Sequence, residues 1–523
     1  MIRLEKLLEK VDFRIIYPFD KGNNESKEEM RGVLNKEVSD VTDRSSECGK
    51  GSVFVCLKGR KSDGHSYIED ALRAGAETVL CHAGSNVNIE GIAASFPYAC
   101  IIETENTRSA FAKMCASFYG ISDGNIKIIC VTGTNGKTTV STLIYRALNS
   151  CGKPTALLGT LGGYFGDERF SCGTMTTPDP KQLYGLVSRF GKMGAEYLVI
   201  EASSHALALN KLDGLDIYMG VFTNLTPEHL DFHGSMEEYA SAKSLLFRRC
   251  SLGGVFFADD AYCRLMAEAL PEGRRAIRCS VIDSGADYYA DNVRMLGEDG
   301  VRYSVLHTEV ERKMRMCRTD IYCGIPGSFS VCNSLLAFAT LCELGISPVC
   351  AAGGIISSGG VRGRIEKLSL PDRVGFSVYI DFAHTPDALS KIIRSVREFA
   401  AEDQRIITVF GCGGDRDRSK RPLMGAISSR LADFTVLTAD NSRSESTEEI
   451  ISEILSGFDK ARPYKIIPDR KEAIIFALES AEKGDIILLC GKGHEEYEII
   501  GDSVIPFSER EIVEEYFNKN KSS

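Results

Sequence analysis

A glycine-rich segment at residues 133–139 carries the side chains best suited to bind phosphate. It reads GTNGKTT and follows the apolar run KIICV. Glycines let backbone N–H groups approach phosphate oxygens, and a helix that begins near the lysine adds its positive dipole. Lys137 can neutralise the β- and γ-phosphates of a nucleoside triphosphate, and the Thr138 hydroxyl can bind Mg²⁺. The segment therefore predicts an ATP site, against the alternative of an ordinary turn before a helix.

Further candidate metal ligands follow the next apolar runs along the chain. Glu201 ends EYLVIE, and His229 and Asp231 lie in NLTPEHLD. Because a carboxylate beside a phosphate-binding loop can hold Mg²⁺, we predict Glu201 as a metal ligand. His229 and Asp231 are either ligands or a structural pair. Lys243 lies in YASAKSLLF, and its spacing alone predicts a solvated lysine on the polar side of a helix.

Parallel strands are needed to bring these side chains together, and the chain contains several strand, loop and helix units. KIICV, EYLVIE, IYMGVFTN and GVFFAD alternate with helical stretches, which predicts a mostly parallel, doubly wound sheet. FSVYIDFAH, RIITVFGCGGD, DFTVLTAD and DIILLCGKGH predict a Rossmann-like sheet near the end of the chain. Shorter strands and a helix at the start predict a small α/β domain. We therefore predict three α/β domains, at residues 1–105, 106–361 and 362–523.

Composition excludes several classes of protein. The 523 residues have 43% hydrophobic content, which favours a multidomain globular chain. A formal net charge of −10 without a basic tail argues against a nucleic-acid partner. No run approaches the roughly 20 apolar residues of a membrane helix, and MIRLEKLLEK lacks the features of a secretory signal, so we expect a cytoplasmic protein. The 18 cysteines have no metal-binding spacing and are expected to be reduced, packed thiols.

The ordered set of motifs resembles the Mur ligase family from about Asp40 to Glu498, which is nearly the whole chain. The matching motifs are GTNGKTT, TTPD, EASSHAL, NLTPEHLDFHG, YASAK, GSFSVCNSLLA, GRIE, DFAHTPDAL, FGCGGDRDRSKRPLM, DNSR and GKGHE. The resemblance implies an ATP-dependent ligase of peptidoglycan precursor synthesis that forms an amide bond through an acyl phosphate. It also implies ATP and Mg²⁺ as cofactors, small-molecule substrates without a nucleic-acid or membrane partner, and a monomer.

The resemblance assigns residues to the nucleotide and the metal. The implied catalytic residues are Lys137, Glu201, His229 and Lys243. Lys243 matches the lysine that the family converts to a carbamate, which reverses its interpretation as a surface lysine. The implied metal ligands are Thr138, Glu201, His229 and carbamylated Lys243. The implied ATP-binding residues are Gly133, Thr134, Asn135, Gly136, Lys137, Thr138, Thr139, Asn333, Arg364, Asp381 and His384. Because these residues come from two domains, we expect the domains to close around ATP.

Two further groups of positions are implied for the other substrates. The first domain is expected to bind the uridine diphosphate of UDP-N-acetylmuramoyl-L-alanyl-D-glutamate. The positions that match this substrate are Ser45, Arg60, Lys61, Ser62, Thr176, Thr177, Ser203 and Lys211. Lys211 stands where the family commonly has arginine, which keeps the charge and loses the bidentate fork. The positions that match the incoming amino acid are Arg416, Asp440, Asn441, Arg443, Gly491 and Glu495.

Arg443 indicates which amino acid is added. A guanidinium can bind the distal carboxylate of meso-diaminopimelate with two hydrogen bonds, whereas L-lysine would present an ammonium group there. We therefore favour meso-diaminopimelate over L-lysine. Ser442 stands where the family usually has proline, and its freer backbone predicts a less rigid contact at Arg443.

Other functions remain open from the sequence. Folylpolyglutamate synthase shares the P-loop ligase core, but it lacks the N-terminal domain with DGH and the DNSR and GKGHE pair. A P-loop kinase or nucleoside triphosphatase would release phosphate without an amine acceptor. A non-catalytic nucleotide-binding protein is the third alternative, and the complete set Lys137, Glu201, His229 and Lys243 argues against it.

Overall fold

The structure is a computed structural model, and it describes residues 1–18, 27–59, 62–121, 126–173, 175–308, 316–401 and 403–519. Three sheets of five, eleven and six strands follow one another along these residues. Most neighbouring strands in them are parallel, which confirms the predicted α/β class and the mostly parallel central sheet. Arg60 and Lys61, which were predicted to bind the uridine nucleotide, lie outside the described residues.

The first part of the chain forms the five-stranded sheet. The strands in this part of the chain are β1 (Ile2–Arg3), β2 (Arg14–Tyr17), β3 (Glu37–Val38), β4 (Asp40–Thr42), β5 (Ser52–Val55), β6 (Ala76–His82) and β7 (Cys100–Thr104), of which β1 and β3 lie outside the five-stranded sheet. Its helices are α1 (Leu4–Leu7), α2 (Lys27–Leu34), α3 (Ile68–Arg73), α4 (Ile89–Ser95) and α5 (Thr107–Phe118). The strand order is β2-β7-β6-β5-β4, and β1 pairs separately with β3. Val79, Leu80 and Cys81 are fully buried because β6 lies between two other strands and is covered on both faces.

The middle part forms the eleven-stranded sheet. Its strands are β8 (Lys127–Thr132), β9 (Thr155–Gly159), β10 (Gly162–Phe165), β11 (Glu168–Phe170), β12 (Tyr197–Glu201), β13 (Ile217–Phe222), β14 (Cys250–Phe257), β15 (Arg275–Ser280), β16 (Tyr288–Met295), β17 (Val301–Thr308) and β18 (Met316–Cys323). Its helices are α6 (Lys137–Ser150), α7 (Pro180–Lys192), α8 (Ser204–Ala208), α9 (Leu230–His233), α10 (Met236–Ser244), α11 (Cys263–Glu268), α12 (Phe329–Glu343) and α13 (Pro348–Ser357). β8 lies between β12 and β13 and is parallel to both. The loops after these three strands therefore open at one edge of the sheet, where α/β proteins bind their ligands.

The last part forms the six-stranded sheet. The strands in this part of the chain are β19 (Glu366–Lys367), β20 (Ser377–Asp381), β21 (Ile406–Phe410), β22 (Phe434–Leu437), β23 (Tyr464–Ile466), β24 (Ile486–Cys490), β25 (Tyr497–Ile500) and β26 (Ser503–Pro506), of which β25 and β26 lie outside the six-stranded sheet. Its helices are α14 (Pro386–Phe399), α15 (Lys420–Leu431), α16 (Thr447–Ser456), α17 (Arg470–Ser480) and α18 (Glu509–Lys519). The strand order is β19-β20-β24-β21-β22-β23, and β25 and β26 form a separate hairpin. The four strand-and-loop units predicted from sequence are β20, β21, β22 and β24.

Helix α14 contacts the middle part of the chain at both of its ends. In its first turn, Asp387 Oδ2 accepts hydrogen bonds from Asn135 Nδ2 at 2.7 Å and from Thr226 Oγ1 at 2.9 Å. Near its last turn, the Glu398 carboxylate accepts from the backbone N–H of Ser328 at 3.1 Å and from its hydroxyl at 3.0 Å. The helix therefore docks the last sheet onto the middle sheet, with its first turn at the phosphate-binding loop.

The cysteines are free thiols in this fold. Twelve of the 18 are buried, and burial raises the pKa of thiols such as Cys412, to about 12. A thiol with a raised pKa is a poor nucleophile and packs as a small apolar group. Within the described ranges, no helix has the length and apolar content needed to cross a membrane.

Candidate active site

The loop between β8 and α6 depends on two glycines. Gly133 has φ of 150° and Gly136 has φ of 85°, a region that favours glycine. A Cβ on Gly136 would lie 2.4 Å from Asn333 Oδ1, and one on Gly133 would lie 1.9 Å from Thr223 Oγ1. The two glycines therefore let the loop pack against neighbouring polar side chains. The same packing brings Asn333 of α12 to the phosphate-binding loop.

Lys137 begins α6 and folds back over this loop. Its Nζ donates hydrogen bonds to the carbonyl oxygens of Gly133 and Thr134, each at 2.9 Å. Burial lowers the pKa of Lys137. Because a phosphate oxygen is a stronger acceptor than a backbone carbonyl, an incoming phosphate can take over these hydrogen bonds. The helix dipole and the loop N–H groups favour the same anion.

Glu201 ends β12 beside the first turn of α6. Its side chain is 1% exposed, and its Oε2 accepts hydrogen bonds from Thr138 Oγ1 at 2.9 Å and Thr160 Oγ1 at 3.0 Å. Its Oε1 accepts from the backbone N–H of Thr160 at 2.9 Å. Arg364 Nη2 also donates to Thr138 Oγ1, at 3.0 Å. A hydroxyl and a carboxylate at this spacing are the hard oxygen donors that Mg²⁺ prefers, so the pair fits the metal that the sequence implies.

Lys243 is 1% exposed, so the prediction of a solvated lysine from helical spacing alone is wrong. Helix α10 packs with most of its surface covered, and Tyr239, Ala240 and Ala242 are buried with it. Lys243 Nζ donates to the carbonyl oxygen of Gly133 at 2.8 Å and lies 4.6 Å from the centre of the Tyr239 ring. Burial, and then the charge of Lys137, hold the pKa of Lys243 well below its usual range, which favours the neutral amine.

His229 lies at the rim of the same site. Its side chain is 41% exposed, and its Nε2 is 3.7 Å from Glu228 Oε1, which is also 3.9 Å from His384 Nε2. Partial burial and the charges of Lys137 and Lys243 lower the pKa of His229 to about 4, which keeps the imidazole neutral. In the described part of the chain, no three His, Cys, Asp or Glu side chains converge on a metal-binding position. His229 and Lys243 as metal ligands therefore stay predictions.

Three predicted nucleotide-binding residues come from the last sheet and the segment before it. Asp381, at the end of β20, accepts backbone N–H groups of Ile365 and Ala383, each at 2.8 Å. Burial raises the pKa of Asp381. His384 lies three residues after Asp381, and Arg364 reaches the first turn of α6. The structure thus brings Arg364 to the phosphate-binding loop, and it places Asp381 and His384 on the segment that leads into α14.

Three positions predicted for the muramoyl substrate, Thr176, Thr177 and Ser203, lie close to Glu201, and a fourth, Lys211, lies beside Asp179. The Thr177 hydroxyl donates to the Glu201 carbonyl oxygen at 2.7 Å and accepts the backbone N–H of Ser203 at 3.2 Å. Thr176 Oγ1 lies 3.1 Å from Thr160 Oγ1. Lys211, whose role the sequence left in doubt, is 7% exposed, and its Nζ lies 2.8 Å from an oxygen of Asp179. The segment of Thr176 and Thr177 is therefore joined to Glu201, through Thr160 and through the Glu201 carbonyl oxygen, and to the buried Lys211, whose Nζ lies 3.5 Å from the Thr177 carbonyl oxygen.

The positions predicted in the first sheet reach this region through one helix. Ser45 begins a short 3-10 turn that ends at Glu47, and Ser62 is exposed. Lys181 of α7 forms ion pairs with Asp40 at 2.7 Å and Glu47 at 3.1 Å. Because α7 starts directly after the TTPD segment, this contact places the Ser45 turn beside the part of the middle sheet that carries Thr176 and Thr177.

Arg416 and Arg443 form a pair of neighbouring guanidinium side chains in the last sheet. A Cβ on Gly413 would lie 3.0 Å from Arg443 Nη1 and 3.7 Å from Arg416 Cγ, so both side chains pass the same glycine. Arg443 Nη1 donates to the carbonyl oxygen of Gly414 at 2.8 Å, and Arg416 Nη1 donates to that of Asp415 at 3.3 Å. The remaining donors suit an external carboxylate, which two guanidinium groups can bind with several hydrogen bonds.

The other predicted acceptor residues form an acidic group beside this pair. Asn441 Nδ2 donates to Glu495 Oε2 at 2.8 Å, and Asp440 Oδ1 lies 3.6 Å from Lys492 Nζ. A Cβ on Gly491 would lie 3.3 Å from Asp440 Oδ2. Burial, and then the charge of Asp440, raise the pKa of Glu495. Carboxylates on one side and guanidinium groups on the other are complementary to a ligand that carries both an ammonium and a carboxylate group.

The sequence is similar to known ligases along almost its whole length. Residues 37–119, 131–341 and 363–493 match the Mur ligase family catalytic domain, the Mur ligase middle domain and the Mur ligase glutamate ligase domain. UDP-N-acetylmuramoyl-L-alanyl-D-glutamate--2,6-diaminopimelate ligase of Caldanaerobacter subterraneus subsp. tengcongensis is 40% identical over 492 residues, which are 94% of this chain and 96% of that protein.

The chain belongs to the Mur ligase family. The ligase of the same name from Clostridioides difficile strain 630 is 37% identical over 491 residues, which are 94% of this chain and 97% of that protein. A solved structure of UDP-N-acetylmuramoyl-L-alanyl-D-glutamate--2,6-diaminopimelate ligase superposes with a TM-score of 0.67 at 27% identity and covers 100% of both chains. The three-domain α/β arrangement is thus that of the family.

Sequence reasoning missed several side chains of this Mur ligase. Thr160 hydrogen-bonds both carboxylate oxygens of Glu201, and no motif marks it because it follows β9 in an otherwise unremarked stretch. Glu228 and Asp387 lie inside the motifs NLTPEHLDFHG and DFAHTPDAL, where an acidic residue after a strand or in the first turn of a helix is a usable signal. Their partners are distant in sequence, so the contacts themselves could not be predicted.

Proposed function

We propose that this Mur ligase adds meso-diaminopimelate to the D-glutamate of UDP-N-acetylmuramoyl-L-alanyl-D-glutamate with ATP as the energy source, in the cytoplasm. The names of the relatives and the near-complete coverage support the reaction. The observation that carries the choice of amino acid is the guanidinium pair of Arg416 and Arg443 beside the acidic group of Asp440 and Glu495. Opposite charges on two sides of one site match the two ends of a diamino diacid better than those of L-lysine.

The first chemical step is phosphoryl transfer at the loop of residues 133–139. The loop N–H groups and Lys137 bind the β- and γ-phosphates, and Arg364 adds positive charge beside Thr138. An oxygen of the D-glutamate side-chain carboxylate then attacks the γ-phosphorus, the bond to the ADP oxygen breaks, and an acyl phosphate forms. Positioning and electrostatic stabilisation supply most of the rate enhancement in such transfers.

The metal and the carbamate belong to the same proposal. Thr138 and Glu201, and further His229 and a carbamate on Lys243, would hold Mg²⁺, which when bound would supply positive charge between the two anionic reactants. Carbamate formation joins Lys243 Nζ to the carbon of CO₂ and releases one amine proton. The buried amine next to the Gly133 carbonyl supports this assignment, because an uncharged amine has the lone pair that the reaction needs. The product is an anionic oxygen donor where the unmodified side chain has none.

The second step forms the amide bond. The amine of diaminopimelate attacks the acyl carbon, phosphate leaves from the tetrahedral intermediate, and the attacking nitrogen loses a proton. Arg416 and Arg443 are suited to hold the distal carboxylate, and Glu495 and Asp440 are suited to an ammonium group of the same molecule. Orientation of the amine by these contacts is their contribution to catalysis.

The test is a coupled assay of the purified protein with ATP, Mg²⁺ and UDP-N-acetylmuramoyl-L-alanyl-D-glutamate. We expect ADP release to require an amine acceptor, to be faster with meso-diaminopimelate than with L-lysine, and to yield a product with the mass of the muramoyl tripeptide. A reaction without the muramoyl substrate is the control. Preference for L-lysine would overturn the choice of amino acid. ADP release that is independent of both amines would indicate that the protein is a nucleoside triphosphatase and not a ligase.

A further inference from the structure

Two residues of the acceptor site have an unusual backbone conformation. Asp415, which precedes Arg416, has φ of 53°, and Arg443 itself has φ of 52°. Residues other than glycine rarely adopt this left-handed region, and they remain in it where the surrounding structure leaves no alternative. At Asp415 and Arg443, other contacts therefore hold the backbone in this conformation, and the conformation sets the direction of the guanidinium side chain.

Asp415 is held by contacts to the segment that follows Arg443. Its backbone N–H donates to Glu445 Oε1 at 2.6 Å, and its Oδ1 accepts from Ser444 Oγ at 2.6 Å. The backbone N–H of Gly414 donates to the carbonyl oxygen of Asn441 at 2.9 Å. The two segments that carry the guanidinium groups are thus joined at three points. Displacement of one segment must displace the other.

Arg443 is held from the opposite side by the β25–β26 hairpin. Its backbone N–H donates to Ile499 at 3.0 Å, and its carbonyl oxygen accepts from Gly501 at 2.8 Å. Ser442, at the position where the sequence predicts a less rigid contact, is 5% exposed and therefore packed. The Arg443 region is thus held by the β25–β26 hairpin on one side and by the segment of Glu445 on the other, although the chain has Ser442 where the family usually has proline.

Glu445 is in turn fixed by a buried arginine from α15. Arg421 is 0% exposed, and its Nη1 and Nη2 donate to the two Glu445 oxygens at 2.8 Å and 2.9 Å. Arg421 Nη2 also donates to the carbonyl oxygen of Gly413 at 3.2 Å, and its Nη1 donates to Glu453 Oε2 at 2.8 Å. The hydrogen bonds with Arg421 lower the pKa of Glu445 to about 2, so the carboxylate stays charged at any working pH. A bidentate pair of this kind fixes direction as well as distance.

We propose that Arg421 and Glu445 are positioning residues that set the selectivity for the amino acid acceptor, by holding Arg416 and Arg443 at the spacing that a distal carboxylate requires. The inference rests on the proposed function, because it concerns how that acceptor is recognised. Neither residue touches the reacting atoms. Their loss should therefore weaken acceptor binding and selectivity, while ATP binding, some distance away at the middle sheet, stays unchanged.

The test compares two glutamates that bind the same arginine. Glu445→Gln removes the charge that orders both segments, whereas Glu453→Gln removes the other carboxylate on Arg421 and leaves the contact to Asp415 intact. For Glu445→Gln we expect the KM for meso-diaminopimelate to rise about tenfold, because small misplacements of orienting groups have effects of this size. The preference for meso-diaminopimelate over L-lysine should fall by a similar factor, and the KM for ATP should stay within about twofold.

The outcomes separate the two levels of the proposal. Equal KM values in Glu445→Gln and wild type, or equal effects of Glu445→Gln and Glu453→Gln, would overturn the positioning role. A wild-type protein that shows no dependence on meso-diaminopimelate would instead overturn the proposed function. If Glu445→Gln fails to fold, as judged by circular dichroism, Ser444→Ala serves as the second variant. This variant removes one side-chain contact to Asp415. An unchanged KM for meso-diaminopimelate in it would also contradict the positioning role of this network.

Discussion

The nucleotide end of the site, around residues 133–139, and the acceptor end, around Arg416 and Arg443, are held in place in different ways. At the nucleotide end, Lys137, Glu201 and Lys243 are buried or folded against backbone, and each has a partner within the middle sheet. At the acceptor end, Arg416 and Arg443 emerge from loops, and neighbouring residues hold Arg443 and Asp415, which precedes Arg416, in uncommon backbone conformations.

The difference shows where chemistry and selectivity reside. In the proposed function, phosphate is bound by a compact loop whose geometry is set by two glycines and one helix, so a short motif suffices. Recognition of a particular amino acid is proposed to need two guanidinium groups from separate segments at a fixed spacing, so it depends on contacts that only the folded chain provides. Variants at the first end should change turnover, and variants at the second should change KM and selectivity.

Lys137→Ala should have the largest effect. Loss of the charge that faces the transferring phosphate should lower kcat by ~1,000-fold or more, measured as ADP release with all substrates. Lys153→Ala is the matched control, because Lys153 lies just beyond the same helix in a half-exposed ion pair with Glu196 at 3.6 Å. Retention of more than a few per cent of turnover by Lys137→Ala would break the assignment of phosphate binding to this end.

Lys243→Ala should lower kcat by ~100-fold, because it removes the proposed anionic metal ligand. Lys243→Arg should be as inactive, since a guanidinium keeps the positive charge and forms no stable carbamate. In wild type, ¹³C NMR after equilibration with labelled bicarbonate should show a carbamate signal that is missing in both variants. An active Lys243→Arg enzyme would show that a cation, rather than a carbamate, is needed at this position.

Arg443→Lys should raise the KM for meso-diaminopimelate about tenfold or more and leave kcat nearly unchanged, because a bidentate contact becomes a single one. Steady-state assays at saturating ATP measure this effect. Arg264→Ala is the control, since Arg264 is 88% exposed and its ion pair with Glu268 lies within α11, in the middle part of the chain. A drop in kcat at unchanged KM would contradict the division between the two ends.

Asp387→Asn should have the smallest effect of the four variants. Asp387 lies on the helix that joins the two ends of the site. The substitution weakens a partly exposed contact between α14 and the phosphate-binding loop, so we expect the KM for ATP to rise about threefold. Glu398→Gln at the far end of α14 is the control, because it loosens the same docking away from the nucleotide. Equal shifts in the two variants would mean that Asp387 contributes to docking alone.

The sequence predicted the sheets and the strand, loop and helix order around residues 133–139 correctly, because apolar runs and glycines act locally, whereas phosphate binding by this loop stays a prediction. The α/β class was predicted from alternating strand and helix patterns and the family from motif order, and both are confirmed by the structure and the comparisons. The assignments of individual site residues stay predictions, although the structure brings Asn333, Arg364 and Glu201 to the loop of residues 133–139.

Contacts between distant segments could not be predicted. Lys243 shows the limit most clearly: helical spacing placed it in solvent, whereas α10 is packed so that Lys243 and Ser244 are buried while Glu237, Glu238 and Ser241 stay exposed. Arg421 lies within the motif FGCGGDRDRSKRPLM, which indicates no role for it, because its partner Glu445 lies on the separate connection between β22 and α16. Burial of a charged side chain depends on tertiary packing, which a single sequence does not display.

The contact between Asp387 and Asn135 has a thermodynamic consequence. One partner belongs to the loop proposed to hold ATP, and the other belongs to the helix that docks the proposed acceptor site, so the two ligands would act on one shared equilibrium. Linkage then requires that any gain in affinity which ATP confers on the acceptor is returned to ATP in equal measure. Under the proposed function, the acceptor concentration needed for half-saturation would therefore depend on the ATP concentration, and Asp387 is one of the side chains through which the two sites are coupled.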